Sequence, residues 1–410
     1  MKNYPRVLIF GHSFDNSTGM GITLTNLFKN WPKENIAIWA GGINEDLCEE
    51  IRPCAIYIGA KSKVIHGKVS RSKIKTRFRN FLRKYYHKTG IGELLSKKEL
   101  PIDYVDKARQ FNPEILFCAL GNYSAMKECE SALNSLPDAK LVLYIVDDWV
   151  NTIINNRYFS SLWRRLYNKK YRYLLDKSRG LLSICQFMSD EYNRIYDKSF
   201  VPFHNPVDVE TWNGINVPYK YPDNVISILY VGKINKDTAP CLMDMSKVVD
   251  NLNKAGGNYV FDIYSPNYYE NSFLFKNNKY THLLPPISHN NIPFVMKSYR
   301  SLFLPLGFSK QSREYVRLSM PTKLTEYLAS QRPIILYCPQ EIALSKYLSD
   351  KDCSIICNER SISGLEDAVK RLYSRNDYER LVANSLNLAQ EHDVTIVREK
   401  FRATLCGFLK

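Results

Sequence analysis

Thr322, Lys323 and Glu326, in the stretch MPTKLTEYLASQRP, bring a hydroxyl, an ammonium and a carboxylate within five residues of chain. At 3.6 residues per turn these three fall within an arc of about 100°, while Leu324, Tyr327 and Leu328 share another side. The spacing predicts a short helix with one core face and one chemical face, capped by Ser319 and carrying Pro321 in its first turn. A positive helix end beside an ammonium suits an anionic diphosphate, and a carboxylate can accept ribose hydroxyls. An ordinary amphipathic helix with a solvated outer face reads the same way, so on these residues alone both accounts stand.

Other chemistry sits in three loops. His12 and Asp15 lie in GHSFDNSTGMG, which also holds Gly19 and Gly21; G-M-G is a common pattern, and a loop histidine can equally be plainly solvated. Asp147 and Asp148 follow the apolar run KLVLYIV, where acids could bind a ligand or take a proton, or simply cap the next helix. Lys233 and Lys236 follow VISILYVG and could neutralise a departing anion, or be surface lysines.

The elements that must position these groups read as alternating strands and helices. Arg6–Phe10, Asn35–Ala40, Cys54–Gly59, Glu114–Leu120, Lys140–Val146 and Gly180–Cys185 are short apolar runs of the kind buried on both faces of a parallel sheet. The pattern restarts at Val225–Val231 and continues through Tyr259–Tyr264, His282–Ile287, Ser301–Leu306 and Ile334–Tyr337, and Ala389–Leu409 reads as a final helix. The expected architecture is α/β, two Rossmann-like domains facing a cleft, with a Pro- and Asn-bearing boundary near Asn205–Pro222. A chain of 410 residues suits two cores better than one. The expected spans are 1–205 for an acceptor-binding domain, 206–388 for a nucleotide-sugar-binding domain, and 389–410 for a helix crossing back to the first.

Ten cysteines with no C-x-x-C spacing fit buried thiols in a reducing cytoplasm. No signal-peptide pattern or run of 18 apolar residues occurs, so neither export by that route nor a membrane span is expected. The net charge of +16 is uneven: residues 1–205 carry 32 basic and 20 acidic side chains. Lys61–Lys98 holds 13 basic residues and one acid, Glu93, and Arg157–Arg179 holds eight and one, Asp176. In the first run Ile74, Phe78, Phe81, Leu82 and Tyr85 recur at helical spacing, with Lys73, Arg77 and Lys84 on another face. Such a helix can lie on an anionic leaflet or pack on its own domain. Nucleic acid is disfavoured, because no zinc-finger spacing, RNP-type aromatic motif or GXXG loop accompanies the charge.

The segment PTKLTEYLASQRPI resembles the donor-site helix of GT-B glycosyltransferases of the retaining family 4, roughly P-x-K-x-x-E-Y-x-A-x-G-x-P-[IV]. Gln331 stands where that family usually has Gly, and Leu318 where it has the earlier of two glutamates eight positions apart. The resemblance implies transfer of a sugar from a nucleoside diphosphate sugar to a hydroxyl, with retention and without metal or cofactor. Lys233, Lys236, Thr322 and Lys323 would then hold the diphosphate, Glu326 the ribose, and the backbone at Gly19 and Gly21 would approach the donor. Asp147, Asp148 or His12 would orient the acceptor or take its proton. With the basic first half, a lipid-linked glycan acceptor is expected, in surface polysaccharide or O-antigen assembly, with the enzyme cytoplasmic and peripheral on the inner face of the plasma membrane. Rival readings are a non-enzymatic basic scaffold for anionic lipid or RNA, and a nicotinamide-dependent oxidoreductase; the latter should show G-x-G-x-x-G after the first strand, which the loop lacks.

Overall fold

A computed structural model describes residues 4–12, 14–15, 18–39, 56–58, 89–90, 102–152 and 158–410. The chain divides into two compact units, Met1–His204 with Arg398–Lys410, and Asn205–Val397.

The first unit holds seven strands: β1 (Val7–Phe10), β2 (Ile36–Trp39), β3 (Ile56–Ile58), β4 (Ile115–Ala119), β5 (Lys140–Ile145), β6 (Gly180–Ser183) and β7 (Val201–Pro202). They pair in parallel in the order β3-β2-β1-β4-β5-β6-β7. The second unit holds β8 (Ile226–Val231), β9 (Tyr259–Tyr264), β10 (Thr281–Leu284), β11 (Ser301–Pro305), β12 (Ile334–Tyr337) and β13 (Ile355–Cys357), ordered β10-β9-β8-β11-β12-β13. These too are parallel. The apolar runs account for this arrangement: VLIF, ILFCA and IILY are buried throughout, which only a sheet covered on both faces allows. In each sheet the strand order reverses at the first strand of its unit, between β1 and β4 and between β8 and β11. Crevices form at such switch points, outside the carboxyl ends of the strands.

Two expectations need correcting. Gly19 and Gly21 are not in the loop but open a helix, Gly19–Leu27, because Thr18 accepts a hydrogen bond from Gly21 N–H at 3.0 Å and so caps it. The final helical stretch is two helices, Arg375–Glu391 and Val394–Gly407, broken at His392–Asp393, where Asp393 bridges to Val207 and accepts from Val209 N–H. The second helix carries Phe401 into the first unit's core, with ring centroids 5.1 Å from Phe28 and 5.2 Å from Phe203. The helical pattern from Ile74 to Tyr85 lies outside the described residues.

No described helix is long and apolar enough to cross a membrane. Seven of the eight described cysteines are buried. Among the described residues no group of three His, Cys, Asp or Glu side chains could hold a metal ion.

Candidate functional site

In the second unit the carboxyl end of β8 is the organising point. Lys323 Nζ donates to the carbonyl of Val231, the last residue of that strand, and lies 5.5 Å from the centroid of the Tyr230 ring. The ammonium passes so close to Gly232 that a Cβ there would sit 2.3 Å from Nζ, and 2.7 Å from the Tyr230 hydroxyl. Gly232 is therefore small for a packing reason. Burial pulls the Lys323 pKa down to about 8, against the opposing pull of Glu326. Burial likewise pushes Glu326 up to about 7, with Lys323 working the other way. The pair is poised near neutrality and has both charges partly stripped of water.

The helix that carries this pair is shorter than its spacing implies. It spans Leu324–Ala329, and Pro321–Lys323 form a turn ahead of it, with Leu324 N–H donating to the Pro321 carbonyl at 2.9 Å. Ser319 is not its cap; its hydroxyl donates to the Tyr315 carbonyl in the preceding helix, Lys310–Val316. Lys323 consequently occupies the N-cap position and is directed to β8, while the carbonyl of Thr322 accepts from Asn205 at 3.1 Å. The core face is as the spacing requires: Leu324, Tyr327 and Leu328 are fully buried. Gln331 takes the left-handed conformation, φ 59°, that glycine would adopt without strain, and its amide donates to Asn213 at 2.6 Å. Leu318, at the position of the missing glutamate, is buried.

Lys233 and Lys236 are exposed on the loop after β8, and Lys236 donates to Gln311 at 3.0 Å. The loop is fixed from within by Asn235, whose side chain accepts from Asp237 and Thr238 N–H, and from outside by Asn267, which spans Ile234 N and O at 3.0 and 2.7 Å. Sequence reasoning missed Tyr230, Asn267 and Gly307. Gly307 admits no side chain, because a Cβ would meet Ser312 Oγ at 2.4 Å and the Asp237 carbonyl at 2.9 Å. A lone glycine directly after an apolar strand was the available signal there; Tyr230 and Asn267 gave none, being ordinary in type.

The first unit carries polar groups of its own after the carboxyl ends of β1 and β5. Gly11, at φ 84°, places its Cα so near the Ala119 carbonyl that a Cβ would lie 2.5 Å away. His12 follows, with Nε2 beside Gly121 in the loop after β4. Burial lowers the His12 pKa, opposed by Asp15, which leaves the imidazole neutral at pH 7. Asp15 accepts from Thr18 N–H at 2.6 Å and Thr18 Oγ at 2.8 Å, and a Cβ on Gly21 would strike its carboxylate at 2.0 Å. Gly21 thus makes room for Asp15; Gly19 is exposed at the helix start.

The two acids after β5 part company. Asp148 is buried, accepting from the Tyr192 hydroxyl and the Asn151 amide, each at 2.7 Å, while its carbonyl accepts from Thr152. Asp147 is only partly buried.

No family profile and no curated protein sequence matches this chain. Solved structures do. HepE of Anabaena, in complex with UDP-glucose, superposes with a TM-score of 0.65 at 10% identity over 98% of this chain and 100% of its own. S. aureus TarM, in complex with UDP and an α-GlcNAc-glycerol, gives 0.64 at 9% identity over 100% of both chains. The α,α-trehalose 6-phosphate synthase of Burkholderia multivorans gives 0.60 at 10% identity over 99% of both. The fold is GT-B. In GT-B terms β8 opens the second Rossmann-like sheet, and Lys323 with Glu326 stands at the switch point of that sheet.

Proposed function

We propose that this chain is a glycosyltransferase that moves a sugar from a nucleoside diphosphate sugar to a hydroxyl of a glycan acceptor. The observation that carries the reading is the half-buried Lys323–Glu326 pair, with the Lys323 ammonium at the end of β8 beside the lysine-bearing loop from Gly232. In the reaction the bond from the anomeric carbon to the diphosphate breaks, and one from that carbon to the acceptor oxygen forms. The leaving group gains negative charge, which Lys323, Lys233 and Lys236 would offset, with Thr322 in the adjoining turn. Glu326 would accept the ribose hydroxyls. The acceptor proton would pass to His12, held neutral by burial, or to Asp147, while Asp148 holds the strand end in shape through Tyr192. The first unit then serves the acceptor and the second the nucleotide sugar. Structural likeness to proteins crystallised with UDP-glucose and UDP supports a uridine nucleotide as the first donor to try.

Retention of anomeric configuration, a lipid-linked acceptor, and a peripheral position on the cytoplasmic leaflet complete the proposal. The last two rest on the charge of residues 1–205. Calorimetric titration with UDP, GDP and ADP tests the donor site: one nucleotide should bind, and Lys323→Ala and Glu326→Ala should each weaken it by about 1–3 kcal/mol, the cost of losing a charge-assisted contact. Absence of heat with all three, or variants that bind like the unaltered protein, would remove this reading.

A further inference from the structure

The basic run Arg157–Arg179 contains none of the residues given a donor-binding or proton-accepting role above. Most of it is one helix, Ser160–Lys177. Trp163, Tyr167, Tyr171 and Leu174 form its buried stripe. On the opposite side, Leu162, Arg165, Lys169 and Arg172 lie within an arc of about 80° at 100° per residue, and all four are exposed. The acid that closes this stripe, Asp176, is paired with Lys198 at 2.9 Å, and the inner Lys170 is paired with Glu130. The outward face is therefore cationic along most of its length.

Its leading end is apolar. Phe159 is 72% exposed, Leu162 55% and Tyr158 45%. Phe159 holds a left-handed backbone, φ 61°, at the helix N-cap, a conformation that costs an aromatic residue free energy. Three exposed apolar side chains next to a cationic stripe are the two components of interfacial binding: insertion at the level of the headgroups, and attraction to their charge. The indole N–H of Trp163 donates to the carbonyl of Thr89 at 2.8 Å, which places a residue of the other basic run, Lys61–Lys98, against the start of this helix.

We propose that the outer face of Ser160–Lys177, led by Tyr158, Phe159 and Leu162, docks on an anionic lipid bilayer. The partner class follows from the pairing of chemistries. Phosphates of a nucleic acid would satisfy Arg165 and Lys169 but leave the aliphatic Leu162 in the same stripe in water, whereas a leaflet takes both. This deepens the reading of a lipid-linked acceptor and rests on it for its purpose, but the binding itself needs neither donor nor turnover.

The test uses the full-length protein in co-sedimentation with vesicles of phosphatidylcholine alone, and of phosphatidylcholine mixed with phosphatidylglycerol, at low and high salt. The protein should bind only the mixed vesicles. Arg165→Glu with Lys169→Glu should cut that binding by at least about tenfold, given the free energy each basic residue contributes near an anionic surface. Phe159→Ser with Leu162→Ser should weaken it and make what remains fully reversible by salt. Both double variants alter exposed positions, so their thermal unfolding and UDP calorimetry should match the unaltered protein. Failure to bind mixed vesicles, or variants that bind them unchanged, would overturn the proposal. So would single-stranded RNA that binds more tightly than the vesicles and loses affinity in the same variants. Vesicle binding without nucleotide heat would instead sink the donor-site reading and leave this one standing.

Discussion

Lys323 and Glu326 show how far two side chains three residues apart can depend on what lies beneath them. Burial moves each toward its neutral form, and each opposes the other's shift. For Glu326 the folded pKa of about 7 lies above the ordinary carboxylate value, so the native state holds this proton more tightly than the unfolded chain. Its contribution to stability is complete below about pH 4.5 and is lost as pH rises through about 7. Glu326→Gln should therefore shrink the stability difference between pH 5 and pH 7.5 by roughly 1–2 kcal/mol in denaturant titrations. An unchanged difference would mean that the carboxylate is solvated. Lys323 acts with the opposite sense: its folded pKa of about 8 is depressed, so stability is regained as pH rises from about 8 toward its ordinary value.

Also at the residue scale, Asp147 and Asp148 should separate by assay. Asp148→Ala strands the buried Tyr192 hydroxyl and should cost about 2–4 kcal/mol of stability, read as a lowered unfolding midpoint. Asp147→Asn should leave the midpoint within about 0.5 kcal/mol and lower turnover by about 100-fold or more. If Asp147→Asn transfers sugar at the full rate, the proton-accepting role passes to His12.

At the scale of the element, the helix Leu324–Ala329 is bounded by two compromises. At its start Lys323 gives up a conventional cap to reach β8. At its end Gln331 sits at φ 59° and offsets some of the strain through Asn213. Gln331→Gly relieves the backbone and loses one hydrogen bond, two effects of about 1 kcal/mol each in opposite directions, so stability should change by less than about 1 kcal/mol. Gln331→Val puts a β-branched residue in the left-handed region and should cost more than about 1 kcal/mol. Thermal melts of the pair decide whether the conformation or the side chain matters here.

At the scale of the molecule, the last helix, Val394–Gly407, begins in the second unit and ends in the first. Phe401 meets Phe28, Phe117 and Phe203 edge-on, with centroids 5.1 to 6.0 Å apart, so part of the first core is supplied by the end of the chain. Phe401→Ala should cost about 3–5 kcal/mol in the unfolding of that unit. Nucleotide affinity, which the proposed donor site assigns to Lys233, Lys236, Thr322, Lys323 and Glu326, should stay unchanged by calorimetry. Loss of both would show that the two units fold as one.

The order of short apolar runs was enough to specify two parallel α/β sheets, because strands buried on both faces must be apolar along their whole length and connections between parallel strands must be helical. The core face of Leu324, Tyr327 and Leu328 was legible for the same reason: its period is a property of the chain. The other face was not. Periodicity placed Lys323 beside Thr322 and Glu326, but the direction of its ammonium was decided by the Val231 carbonyl and by the space that Gly232 leaves, which come from a strand some 90 residues earlier. Gly21 likewise reads as a loop glycine until Asp15 is seen against it, and the adjacent acids Asp147 and Asp148 read alike until Tyr192 takes one of them. Residue types and their spacing determined which groups this protein has at its strand ends; which of them are spent on holding the fold and which are left for chemistry was decided only by neighbours distant in sequence.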